Sequence, residues 1–217
     1  MSSGAKPVAG EPPRIYASWL SLSEEAALAP AYMIGLARCD RGCIFCHARA
    51  DWLDGDGEAL SSQALKGHFE RARQLGAKTI QFTGGEPSLA LAQLVASLPA
   101  RSELPLVLNT SLSTPLHLSP DSLEPFSHII ASLKFGQDAC SRRLGCGDDY
   151  LVSIRPRLLA LHEMGAPLRI RHLVMPGHLN CCLEPTLDWL KNYLPEIPFA
   201  LLLGFIPPAR AQAVELS

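Results

Sequence analysis

From Tyr32 onward, short apolar runs alternate with longer stretches whose apolar positions recur at helical spacing. The runs Tyr32 to Ala37, Lys78 to Phe82, Leu106 to Asn109, His128 to Lys134, Leu168 to Met175 and Phe199 to Phe205 read as six strands. Between them lie helical stretches: Ser62 to Leu75 with Ser61 as N-cap, Leu89 to Leu98, Tyr150 to Met164 with Gly165 closing it, and Pro185 to Tyr193. The link around Asp121 to Phe126 has room only for a short helix. Such alternation predicts repeated βα units around a parallel sheet, and periodicity alone leaves an open sheet and a partial barrel equally available. Ahead of the first unit, Tyr16 to Leu28 is expected to form a short helix. Residues 1 to about 13, rich in Pro, Gly and Ser, read as a tail that cannot offset its ordering entropy by burial.

Composition narrows the class. With 217 residues, 47% of them hydrophobic, one substantial core needs no disulfide staples. Lys plus Arg is 19 against 21 for Asp plus Glu, which gives no footprint for nucleic acid or an anionic membrane surface, so neither is expected as a partner. The opening MSSGAKPVAGEPPR has Pro, Gly and charge where a signal peptide needs an apolar core, and no apolar run approaches the ~20 residues of a membrane span. The cytoplasm is the expected compartment.

Seven cysteines change the picture, because three fall within eight residues: Cys39-Asp40-Arg41-Gly42-Cys43-Ile44-Phe45-Cys46 follows the first strand directly. Three thiolates on one loop can wrap a single compact object. If that object is a cubane iron-sulfur cluster, one iron lacks a protein ligand and stays open to a substrate or cofactor. Structural zinc wants four closed ligands, and His47, the one nearby candidate, is adjacent to Cys46 and awkwardly placed for it. A set of incidental buried cysteines is the bland alternative. The strand-end residues Asn109, Ser111, Ser132, Lys134, Arg171 and His172 suit a site at the carboxyl face of a parallel sheet. Arg169 and Arg171 share one face of their strand, so both could point inward and pair with a carboxylate.

The CxxxCxFC loop resembles the cluster motif of the radical S-adenosylmethionine (SAM) superfamily. Thr83-Gly84-Gly85-Glu86-Pro87, one βα unit later, resembles the segment by which that family binds the methionyl amino group. Leu133-Lys134-Phe135-Gly136, Leu161-His162-Glu163-Met164-Gly165 and the run from Arg169 to His178 are similar to the pyruvate formate-lyase activating enzyme group. The resemblance implies a partial (β/α)6 barrel over residues 31–206, after the tail and short helix of 1–30 and before a tail at 207–217. It implies a [4Fe-4S] cluster on Cys39, Cys43 and Cys46. It also implies S-adenosylmethionine contacted by Phe45, Gly84, Gly85, Glu86, Asn109, Ser132, Lys134, Arg171 and His172. The activity implied is an oxidoreductase in which an electron from a flavodoxin or ferredoxin cleaves the cofactor to methionine and a hydrogen-abstracting 5'-deoxyadenosyl radical. The target would be a residue of a partner protein, as in glycyl-radical activation. The alternatives are a small metabolite or peptide as target, and a noncatalytic iron-sulfur or zinc protein. Cys140, Cys146, Cys181 and Cys182 fall in the loops after the fourth and fifth strands, where a second cluster is conceivable and oxidation-sensitive bystanders are the expectation.

Overall fold

The computed structural model describes residues 12–23, 25–48, 54–113 and 120–205, so most of the expected N-terminal tail and all of the C-terminal one lie outside the described residues. The chain falls into two compact units. The first takes in the described residues up to 40, those from 48 to 110, and 120–129; the second takes in 41–47, 111–113 and 130–205.

In the first unit the strands β1 (Arg14–Ser21), β2 (Ala31–Leu36), β3 (Glu58–Ala59), β4 (Thr79–Gly84) and β5 (Leu106–Thr110) lie in the order β3-β1-β2-β4-β5. The pairs β2·β4 and β4·β5 are parallel, in register Ile34↔Phe82 and Phe82↔Leu108. Every residue of β2 is buried, as a strand covered on both faces requires. The helices α1 (Ser62–Gln74), α2 (Leu91–Ser97) and α3 (Pro120–Leu123) provide the crossovers. Ser61 caps α1 as expected, its hydroxyl accepting from the Ala64 N–H at 3.2 Å. Leu65, Ile80, Phe82, Leu94 and Leu108 are fully buried, and Phe82 meets Phe126 edge-on at 6.3 Å.

One expectation is overturned here. The segment beginning at Tyr16 is not helical: β1 runs antiparallel to β2 from Ile15↔Leu36 to Ser21↔Ala31. The stretch Arg14-Ile15-Tyr16-Ala17-Ser18-Trp19-Leu20-Ser21 carries aromatic and β-branched side chains suited to a pleated surface, and the decisive factor is the otherwise unpaired edge of β2. The two-residue strand β3, which pairs with the start of β1, also went unanticipated.

The second unit carries β6 (His128–Ser132, whose first two residues belong to the first unit), β7 (Leu168–Leu173) and β8 (Phe199–Leu202), in that order. β7 and β8 are parallel, in register Ile170↔Phe199. Its helices are α4 (Asp138–Arg143), α5 (Tyr150–Glu163) and α6 (Glu184–Tyr193), with a single π-helical turn at Leu179–Leu183 leading into α6. Ile130, Leu133, Phe135, Ile154, Leu158, Leu161 and Ile170 form its core. Phe135 packs edge-on against Phe45 at 5.9 Å and against Tyr150 at 4.9 Å. Among the described residues, no helix is long and apolar enough to cross a membrane.

Candidate functional site

The first unit contributes the approach to the cysteine loop and the glycine turn. β2 ends at Leu36, Arg38 takes a left-handed backbone conformation with φ of 74°, and half-buried Cys39 follows. The turn after β4 is stitched to this segment by two hydrogen bonds: the Gly85 N–H donates to the Leu36 carbonyl at 2.7 Å and the Glu86 N–H to the Arg38 carbonyl at 2.8 Å. Glycine is needed there for space as well as conformation. Gly84 has φ of 106°, a Cβ on it would lie 2.6 Å from both the Leu36 N and O, and a Cβ on Gly85 would overlap the Arg38 carbonyl. The expected Gly-Gly-Glu-Pro turn therefore holds the strand end that leads to Cys39.

Glu86 is 2% exposed, and its Oε1 accepts from the Ser88 N–H at 3.0 Å and from the Thr110 hydroxyl. It caps the short 3-10 turn Pro87–Ala90 as well as standing where the resemblance puts a cofactor contact. Asn109 is half-buried in β5, on the opposite side of the strand from Thr110. Thr110 is thus the β5 residue that reaches Glu86, and strand alternation was the signal for it. Gln81 went unanticipated as well: it is fully buried in β4, and among the described residues neither its Nε2 nor its Oε1 has a partner.

The second unit carries the rest of the loop. Cys43 and Cys46 are half-buried, and the Cys46 N–H donates to the Cys43 carbonyl at 3.1 Å. The loop is held against the turn after α4, where the Ile44 N–H donates to the Leu144 carbonyl at 3.1 Å and Arg41 donates to the Cys146 carbonyl. Arg41 also forms a 3.4 Å ion pair with Asp149. The Cys43 Sγ lies 2.7 Å from the Cys146 Sγ. That contact lowers the Cys43 thiol to about 7: the Cys146 S–H stabilises a neighbouring thiolate, burial opposes it, and the charges of Lys134 and Arg41 assist. The same contact, reinforced by burial, pushes Cys146 upward. Nothing in the chain's spacing singled out Cys146 for this position.

Phe45 is buried against Phe135, so the aromatic residue of the motif has a packing role of its own. Ser132 and Lys134 flank the end of β6 and share one anchor: the Tyr150 hydroxyl accepts from the Lys134 N–H and donates to the Ser132 carbonyl at 3.0 Å. Arg171 is 6% exposed and His172 1% exposed. The Arg171 carbonyl accepts from the Leu133 N–H at 2.9 Å, and the His172 Nδ1 donates to the Leu133 carbonyl at 2.7 Å. These bonds fix the residue immediately before Lys134. Burial lowers the His172 pKa, with the Leu133 carbonyl opposing, so the ring is neutral with its proton on Nδ1. Arg169, expected to share the inward face, is only half-buried.

The four remaining cysteines do not behave as one set. Cys146 stands beside Cys43, whereas Cys140, Cys181 and Cys182 gather with His178.

The donor chemistry of the motif fits an iron-sulfur cluster. Cys39, Cys43 and Cys46 are unbridged and half-buried, and Cys43 has cationic neighbours that favour its thiolate. Comparison with known proteins agrees. A 25% identical relative, an uncharacterised protein of Methanocaldococcus jannaschii, aligns over 210 residues, 89% of this chain and 59% of its own length. Among solved structures, Streptococcus suis SuiB bound to S-adenosylmethionine superposes with a TM-score of 0.54 at 16% identity, over 79% of this chain and 40% of that one. Native anSMEcpe with bound AdoMet gives 0.55 at 14% identity, over 77% and 50%. These likenesses show the fold, the open, mostly parallel α/β arrangement of radical SAM partial barrels. The chain spans less than two thirds of the length of each of these proteins. The family model of the radical SAM superfamily, whose members use a [4Fe-4S] cluster and S-adenosylmethionine, matches residues 33–190, and with the cysteine loop and the glycine turn inside that span the chain belongs to this superfamily.

Proposed function

We propose that this chain is a radical SAM enzyme that holds its cluster on Cys39, Cys43 and Cys46 and acts on a residue of a partner protein or peptide, in the manner of a glycyl-radical activase. Residues 31–206 are the catalytic domain in this reading. Bound there, the cluster and S-adenosylmethionine supply reductive cleavage of a carbon-sulfur bond and a hydrogen-abstracting 5'-deoxyadenosyl radical.

The protein's own contribution is positional. Arg41 and Lys134 keep positive charge beside Cys43 and favour its ligating thiolate. The Gly84-Gly85 turn offers backbone groups to the cofactor's amino acid end, with Glu86 and Thr110 behind it. Lys134 and Arg171 supply donors for a carboxylate and for ribose or adenine polar atoms, and neutral His172, its Nδ1 proton held by the Leu133 carbonyl, offers Nε2 as an acceptor. A one-electron donor such as a flavodoxin or ferredoxin serves as reductant.

The observation that carries the class is the CxxxCxFC loop directly after β2, inside the matched family span. The choice of a peptidic target is supported by native anSMEcpe, solved with AdoMet and the Cp18Cys peptide, which superposes with a TM-score of 0.53 at 15% identity. The test is anaerobic reconstitution with iron and sulfide, then dithionite and S-adenosylmethionine, with 5'-deoxyadenosine quantified against a C39A/C43A/C46A variant. Product from the parent alone supports the class. No product from a parent with a full cluster points to a noncatalytic iron-sulfur protein. Deuterium recovered in 5'-deoxyadenosine from a labelled protein partner supports the peptidic target, whereas transfer only from metabolite pools overturns it.

A further inference from the structure

We propose that Cys140, His178, Cys181 and Cys182 form a second metal site, a closed mononuclear Cys3His centre for zinc, separate from the cysteine loop. All four residues belong to the second unit, and their donor atoms lie within 4.8 Å of one another. The Cys181 Sγ is 3.4 Å from the His178 Nδ1, the Cys182 Sγ is 3.6 Å from the same nitrogen, and the two sulfurs are 3.9 Å apart. Zinc-sulfur bonds of about 2.3 Å and zinc-nitrogen bonds of about 2.0 Å in tetrahedral geometry put neighbouring donors roughly 3.5–3.8 Å apart. His178, Cys181 and Cys182 already have that spacing, and the Cys140 Sγ lies within 4.8 Å of each of their donor atoms. A cubane cluster would place each thiolate on a different iron and hold the sulfurs farther apart, so the spacing selects a single ion.

Adjacent cysteines ordinarily point in different directions, which argues against their sharing a metal. Local backbone geometry removes the objection. His178 precedes a π-helical turn in which the Cys182 and Leu183 N–H groups both donate to the His178 carbonyl, at 3.0 and 3.2 Å. Cys181 and Cys182 are thereby three and four residues beyond His178 on a helical turn, the two spacings that share its face. Cys140 arrives from α4 on the other loop. Gly136 permits the approach: a Cβ there would lie 2.5 Å from the Cys182 carbonyl oxygen and 2.9 Å from the Pro185 Cβ.

Burial separates this group from a chance surface cluster. Cys140, His178 and Cys182 are 7%, 1% and 0% exposed, leaving only Cys181 partly open. Four protein donors complete the coordination of zinc with no open position, which marks a structural centre. Its effect would be to clamp the loop after β6 to the loop after β7, the two segments that continue from Lys134 and from Arg171 and His172. Three thiolates around a divalent ion leave net negative charge, and the Arg143 guanidinium, 3.4 Å from the His178 Nε2, lies close enough to offset it.

The test uses the C39A/C43A/C46A variant, so that the motif binds nothing, stripped of metal under reducing conditions and titrated with Co(II). One tightly bound equivalent is expected, with thiolate-to-cobalt charge transfer and the intense visible bands of tetrahedral coordination, both abolished by added zinc. Adding C181A, a change at the half-exposed ligand that leaves the buried core intact, should lower the Co(II) affinity and the thiolate-to-cobalt charge-transfer intensity, because water replaces one thiolate, and C140S/C182S should lower both further; adding C146A should leave both unchanged. Absence of a tetrahedral signal in the folded starting variant, unchanged affinity and charge-transfer intensity in C181A, or a Cys140 disulfide in the anaerobically isolated chain would each overturn the proposal.

Discussion

The Tyr150 hydroxyl accepts a hydrogen bond from the Lys134 backbone N–H at 2.7 Å, so the first turn of α5 reaches back to fix a residue just beyond the end of β6. The ring is 2% exposed, and burial raises the phenol pKa, which keeps the hydroxyl protonated for its second bond to the Ser132 carbonyl. Tyr150→Phe removes one oxygen and leaves two backbone groups without this partner. A loss of about 1–3 kcal/mol is expected in urea unfolding. If Lys134 serves the cofactor, the same variant raises the apparent KM for S-adenosylmethionine in uncoupled 5'-deoxyadenosine formation more than Leu158→Ile does, a change in the same core away from Lys134.

Gly84 and Gly76 offer an internally controlled comparison. Both have positive φ, 106° and 69°, but a Cβ at Gly76 meets open space whereas one at Gly84 meets the backbone of β2. Gly76→Ala should cost about 1 kcal/mol from backbone conformation alone. Gly84→Ala should cost more, because β2 must shift, and should lower iron incorporation on reconstitution because that strand leads to Cys39. Equal melting shifts for the two variants would contradict the close approach at Gly84.

Two histidines predict an acid-side loss of stability. Burial lowers the pKa of His172, and of His68, whose Nδ1 lies 3.1 Å from the Tyr32 hydroxyl, from the ordinary 6.5. The unfolded chain then binds more protons than the folded one once the pH falls below 6.5, so their contribution is complete above that value and declines as pH drops toward the folded values. The urea midpoint should fall between about pH 7.5 and about pH 5.5, and a His68→Gln/His172→Asn variant should show a flatter profile over the same interval. An unchanged slope would show that neither ring is held neutral.

The strands Ala31–Leu36, Thr79–Gly84, Leu106–Thr110, His128–Ser132, Leu168–Leu173 and Phe199–Leu202 were legible because each is an apolar run bounded by turn residues, and the cysteine motif because its three cysteines are close in sequence. What stayed hidden depended on partners distant in sequence. Strand β1 exists because the edge of β2 lies beside it, and local propensity at Tyr16 to Leu28 does not contain that edge. Cys146 meets Cys43 across 103 positions, and Cys140 meets His178 only through the packing of two loops. The π-helical turn was equally invisible, since nothing in Leu179-Asn180-Cys181-Cys182-Leu183 distinguishes it from the start of an ordinary helix.

Strand β2 is flanked on one side by antiparallel β1 and on the other by parallel β4, with six buried residues between them. Amide exchange at such a strand requires parting from both neighbours, which ties its opening to that of the unit as a whole. Strand β8 has exposed Leu201 and Leu202 and, among the described residues, ends its run of strands, so it can open at far lower free energy. The chain can therefore breathe at one border while the strand that leads to Cys39 stays closed, and a pulse of deuterium would label Leu201 and Leu202 long before it reached Ile34.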